Sequence, residues 1–138
     1  MRRTLLVTLA SMMIACGGSD STGPDDANVL GTWIFTFTTS TSCSLSQIAV
    51  IITESPSGAP TGTHGSYVFD CAGTANDEVG TSGSIAGWQV SGDDFSLQFT
   101  TSPPRRVTGT VDGNSMAGTF FWEPSGVPFG GTFTAVKQ

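Results

Sequence analysis

The sequence predicts an all-β domain, an antiparallel meander of about eight short strands. Three observations carry this. Apolar and polar residues alternate with period two again and again from Leu30 onward, and no window has a helical period. Two connectors, QVSGDDFSL and TVDGNSMAG, share one pattern in which Gly92 and Gly113 supply the positive φ of a tight hairpin. Connections between the apolar runs are short, which makes consecutive strands antiparallel neighbours.

Each strand follows from its own alternation. GTWIFTFTT puts Trp33, Phe35 and Phe37 on one face and Thr32, Thr36 and Thr38 on the other. SQIAVIITE is apolar on both faces, so it is expected to be central or covered. THGSYVFDC offers Tyr67 and Phe69, and SGSIAGWQV offers Ala86, Trp88 and Val90. DDFSLQFTT turns Phe95, Leu97 and Phe99 inward, and RRVTGTV does so with Val107, Gly109 and Val111. SMAGTFFWE contributes Met116, Gly118, Phe120 and Trp122, and GGTFTAVKQ ends the series with Phe133 and Ala135. NDEVG (76–80) and SPPRR (102–106) have turn composition. Glycines inside strands, Gly87, Gly109, Gly118 and Gly131, let strands bend sharply or let a large neighbour pack over them. The expected architecture is a small up-and-down β-barrel, with a β-sandwich as the alternative.

The N-terminus reads differently. Arg2 and Arg3 precede an apolar stretch from Leu5 to Ala15, too short to span a membrane as a helix. Met13-Ile14-Ala15-Cys16 follows, a small residue before a cysteine. This segment resembles a bacterial lipoprotein signal peptide with its lipobox. The resemblance implies cleavage after Ala15 and acylation of Cys16, which becomes the mature N-terminus and a membrane anchor. Two or three acyl chains hold a protein stably where one does not. Residues 17–28, GGSDSTGPDDAN, have no apolar side chain larger than Ala27 and read as a flexible tether. The expected organisation is therefore signal peptide 1–15, lipidated cysteine and tether 16–28, and β-domain 29–138. Gly17 lacks the aspartate that retains enteric-type lipoproteins at the inner membrane, so the resemblance favours the outer membrane.

Lipidation of Cys16 leaves Cys43 and Cys71, in a compartment that permits disulfides. The two are expected to pair, with separate buried thiols as the alternative. Two distant cysteines and a lone histidine match no closed zinc spacing, and no metal or other cofactor is expected.

The chain carries a net charge of −6, and cleavage after Ala15 would leave three basic residues against eleven acidic ones. Such a balance does not neutralise phosphates, so nucleic acid is not an expected partner. No Gly-Xaa-Ser-Xaa-Gly elbow occurs. His64 is read as a surface residue. Asp77-Glu78 and Asp93-Asp94 are read as solvated turns, since adjacent strand positions point opposite ways. Arg105 and Arg106, after Pro103-Pro104, read as an ordinary charged edge. The domain is expected not to be an enzyme and to be monomeric.

The enriched resource is aromatic: nine Phe, three Trp and one Tyr. These side chains either fill the barrel or line a cavity for one small molecule. Trp33, Phe35, Tyr67, Trp88, Phe99, Phe120 and Trp122 are the candidate lining residues. Gly31-Thr32-Trp33 at the start of the first strand resembles the opening motif of lipocalins and avidin-like barrels. For lipocalins the resemblance implies a carrier of a small hydrophobic ligand. The biotin-contacting pattern of avidins does not occur here. Two functions result: a non-catalytic cell-envelope lipoprotein with a binding or structural role toward an envelope protein, or a lipocalin-like carrier.

Overall fold

The computed structural model describes residues 27–39, 42–55, 60–72, 78–100, 105–123 and 129–138, except the side chains of Pro60, Gly87 and Trp88. The described residues form strands and no helix. In chain order the strands are β1 (Gly31–Thr39), β2 (Cys43–Leu45), β3 (Ile48–Glu54), β4 (Pro60–His64), β5 (Tyr67–Cys71), β6 (Glu78–Gly80), β7 (Gly83–Ser91), β8 (Asp94–Phe99), β9 (Arg105–Asp112), β10 (Ser115–Trp122) and β11 (Phe129–Lys137).

Eight of these close a barrel in the order β1-β3-β4-β7-β8-β9-β10-β11, with β11 returning to β1. Every pairing is antiparallel. Each barrel strand therefore lies beside the next barrel strand in the chain, which is the up-and-down arrangement expected. Phe35 faces Ala135 across the β1–β11 seam and Ile48 on its other side.

Burial follows the predicted alternation. Trp33, Phe35, Phe95, Leu97, Phe99, Val107, Val111, Met116, Phe120, Trp122, Phe133 and Ala135 are all buried. Their rings interlock across the interior: Phe35 stacks on Phe133 at 5.2 Å, and Phe37 meets Phe120 edge-on at 5.1 Å. Two expectations are corrected. β3 is not covered on both faces: Ile48, Val50 and Ile52 point inward, whereas Ile51 is 45% exposed. On β7 a bulge between Ala86 and Trp88 shifts the phase, so that Ile85 and Val90 pack on the core.

Of the remaining three strands, β5 buries Tyr67 and Phe69 on one face as expected, whereas β2, β6 and the sheet they form with it were not expected. β2 lies between β1 and β3 in the chain, β5 and β6 between β4 and β7, and together they form a separate sheet ordered β2-β5-β6. THGSYVFDC is thus two strands in two sheets, and Glu78-Val79-Gly80, expected as a turn, is β6. Because β1 and β4 finish at the same end of the barrel, both excursions start there and meet as a cap. Leu45, Tyr67 and Phe69 are buried beneath it, with Phe69 at 4.2 Å from Trp122 and 4.7 Å from Phe129. The predicted disulfide joins the two excursions: Cys43 and Cys71 are cross-strand partners on β2 and β5. Val68 and Val79 pair on the outer face of the cap and are 49% and 77% exposed.

The opposite end is closed by the residues that lead into β1. Val29 is buried there, Trp33 Nε1 donates to its carbonyl at 2.8 Å, and Ala27 N donates to Gly92 O at 2.9 Å. Two hairpin turns at this end, β7–β8 and β9–β10, are two residues long, with Gly92 at φ 60° and Gly113 at φ 57°.

Gly109 and Gly118 face each other across β9 and β10, where a Cβ on Gly118 would stand 2.1 Å from Thr108 O and 2.6 Å from Gly109 Cα. Both obstacles are backbone, so neither can rotate away. Gly118→Ala is expected to destabilise the domain by about 1–3 kcal/mol, the usual cost of overpacking. Urea denaturation followed by circular dichroism measures it, and an unchanged midpoint would contradict this account of the bend.

Candidate functional site

The capped end gathers the polar groups that the interior elsewhere excludes. Inward phase on β9 runs through Val107 and Val111, and the same phase places Arg105 inside. Arg105 is only 5% exposed, not part of a charged edge. Its guanidinium lies between two aromatic faces, 3.7 Å from the Tyr67 ring centre and 4.1 Å from that of Trp122. Stacking of this kind suits a planar, weakly hydrated cation. Nη2 is paired with Glu78 Oε1 at 2.8 Å. The same carboxylate oxygen accepts from Tyr67 Oη at 2.6 Å. β6 is what brings Glu78 to this place, through its pairing with β5.

His64 ends β4 and is also buried, at 3% exposure, which corrects its expected surface position. It pairs with Gly83 on β7, and Phe99 meets its ring edge-on at 5.2 Å. Nδ1 lies 2.9 Å from Gly65 O. A carbonyl only accepts, so Nδ1–H donates to it. Gly80 and Gly83 make the room: a Cβ on Gly80 would fall inside the Tyr67 ring, and one on Gly83 would stand 2.7 Å from His64 Nε2.

Three buried nitrogens at this end have no hydrogen-bond partner among the described residues: His64 Nε2, Arg105 Nε and Trp122 Nε1. Two surface grooves reach His64. One, of about 330 Å³, is walled by Tyr67, Glu78, Gly80, Ser82, Gly83 and Thr100. The other, of about 490 Å³, runs along Ala49, Ile51, Thr63, Gly65 and Gly83.

Of the candidate lining residues, Trp33, Phe35, Phe99, Phe120 and Trp122 are buried on barrel strands, and Tyr67 is buried on the cap. Trp88 lies opposite Leu97 on β7, and its side chain is outside the described set. Cys16 and the other residues of 1–26, read from the sequence as signal peptide and most of the tether, also lie outside the described residues, as do Asn76 and Asp77. Among the described residues no group of three or more His, Cys, Asp or Glu side chains is placed to hold a metal.

Comparison with protein-family models, with curated proteins and with solved structures gave no match. The site therefore has to be read from its own chemistry.

Burial first, then the hydrogen bond to Glu78, pushes the Tyr67 phenol above its usual value near 10, while Arg105 pulls it down by less. A raised folded-state value means that the protonated phenol is favoured by folding. Its contribution is complete below pH 10 and is lost as pH rises through the folded-state value. Ultraviolet difference titration is expected to show Tyr67 ionising later than free tyrosine. Tyr67→Phe should remove that part of the alkaline fall in stability; an unaltered alkaline profile would contradict it.

Proposed function

We propose that this chain is a lipid-anchored cell-envelope lipoprotein whose β-barrel has a non-catalytic, binding or structural role. The observation that carries the reading is Met13-Ile14-Ala15-Cys16 behind a short apolar run, followed by the Gly/Ser/Asp/Pro stretch. The barrel suits such an anchor. Its chain enters at Ala27, at the end opposite the cap. From Cys16 to Ala27 the chain can reach about 35–40 Å when extended. In this reading the entry end faces the bilayer, the outer membrane being favoured. The cap, with Val68 and Val79 on its outer face, then points toward an envelope partner.

Mass spectrometry of the protein from its own membranes tests this. The expected N-terminal peptide begins at an acylated Cys16, and Cys16→Ser leaves the signal peptide uncleaved. An unmodified peptide beginning elsewhere overturns the reading.

A second reading, a lipocalin-like carrier of a small hydrophobic ligand, is favoured by the three partnerless buried nitrogens under the cap. It differs from the simple cavity picture. The described aromatic side chains are packed against one another, and the partnerless polar groups direct a ligand to the capped end.

A further inference from the structure

We propose that the capped end binds a small organic acid, its single carboxylate accepting from Arg105 Nε–H and Trp122 Nε1–H. The inference deepens the carrier reading and does not depend on the lipid anchor.

Arg105 and Trp122 are 5% and 1% exposed, and the two nitrogens have no partner among the described residues. Both are donors only. A buried donor left without an acceptor costs more than any ordinary bond gains, so natural proteins rarely keep one unless something else fills the role. Here two such donors stand on neighbouring strands, β9 and β10, with the guanidinium carbon 4.1 Å from the indole centre. The side-on fork of an arginine has two parallel prongs, Nη2–H and Nε–H. Glu78 takes the first, and the second is free. What the pair lacks is an acceptor.

Charge and shape narrow the acceptor. Arg105 already balances Glu78, and the chain as a whole is acidic. A multiply charged phosphate would meet net repulsion; a single carboxylate brings one charge and two oxygens for two donors. The side chains around the pair are Tyr67, Phe69 and Trp122, aromatic surfaces that suit an apolar or aromatic body. A groove of about 330 Å³, lined by Tyr67, Glu78 and His64 but by neither donor, opens beside the Arg105–Glu78 pair. A ligand body seated in it, at the low end of the ~300–1,000 Å³ of small-molecule sites, is of benzoate size.

The test titrates the full mature protein, in detergent and labelled with nitrogen-15, with benzoate and separately with benzyl alcohol. Side-chain N–H resonances of Arg105 and Trp122 are the readout, assigned through Arg105→Lys and Trp122→Phe. Benzoate is expected to shift both resonances saturably. Arg105→Lys keeps the charge opposite Glu78 but loses Nε–H, and should weaken binding at least about tenfold. Trp122→Phe keeps an aromatic ring, loses the other donor and should act in the same direction. Circular dichroism establishes that each variant is folded, and either one suffices for the comparison.

No saturable shift at tens of millimolar benzoate, with benzyl alcohol also silent, means that water alone fills the two donors and overturns the proposal. It leaves the lipoprotein reading to its own mass-spectrometric test. Equal binding of benzyl alcohol overturns the carboxylate assignment while a carrier role stands. Benzoate binding that both folded variants retain unchanged overturns the assigned donors.

Discussion

Removing the disulfide, by Cys43→Ser with Cys71→Ser or by reduction, should lower stability by about 3–4 kcal/mol. The bridge closes a loop whose ends are 28 residues apart in the chain. In the chain-entropy account a loop of that size restricts the unfolded chain by about this amount. For a domain near one hundred residues this shifts the thermal midpoint by roughly 12–25 °C. The location decides what fails first. Cys43 and Cys71 join β2 to β5, and those two strands reach the cap from separate excursions. Without the bridge, the short ladders β2–β5 and β5–β6, the packing of Leu45, Tyr67 and Phe69 and the pairing of Glu78 with Arg105 keep the cap in place. Hydrogen exchange should therefore rise most over residues 43–45 and 67–71, more than over β9 to β11. Uniform loss of protection across the barrel would show that cap and barrel unfold as one unit.

Trp33→Ala should be as damaging, at about 3–5 kcal/mol, the range for removing a buried tryptophan. Trp33 has no exposed surface and connects three parts of the molecule. Its indole N–H donates to Val29 O at 2.8 Å, holding the segment that closes the entry end. Lys137 Nζ lies 5.4 Å from its ring, at the finish of the last strand, and Lys137 pairs with Trp33 in the β1–β11 register. Trp33→Phe keeps most of the apolar volume but leaves the Val29 carbonyl without its donor, for a smaller loss of about 1–2 kcal/mol. Urea melts monitored by far-ultraviolet circular dichroism separate the two. Equal losses would mean that the hydrogen bond, not the ring, carries the effect.

How much was legible depended on whether a residue's own strand set its phase. DDFSLQFTT alternates without exception, and Phe95, Leu97 and Phe99 are buried as read. Gly92 and Gly113 adopt the positive φ that their turns require. Arg105 was equally readable in principle, because Val107 and Val111 share its phase. The charge and the preceding prolines masked that signal. His64 offered less: PTGTH contains no large apolar residue to say which face is inner. Glu78 offered least. Three residues of turn-like composition become β6 only by pairing with Tyr67, Val68 and Phe69 of the preceding strand, and three residues are too few to display an alternation of their own. The site was missed for the same reason: its members come from β4, β5, β6, β9 and β10, and only the closed topology brings them together.

The seam between β1 and β11 sets an order of events during synthesis and folding. Phe35 and Ala135 are register partners about a hundred residues apart, so the first barrel strand waits for the last. Until β11 arrives, β1 and β10 each present an open edge carrying Phe35, Phe37, Phe120 and Phe121. Non-local closure of this kind is slow, and bare edges recruit other chains. A chain that stops short of β11 should therefore accumulate as aggregate or be degraded. The intact chain is most vulnerable in the interval between the appearance of its first strand and the docking of its last.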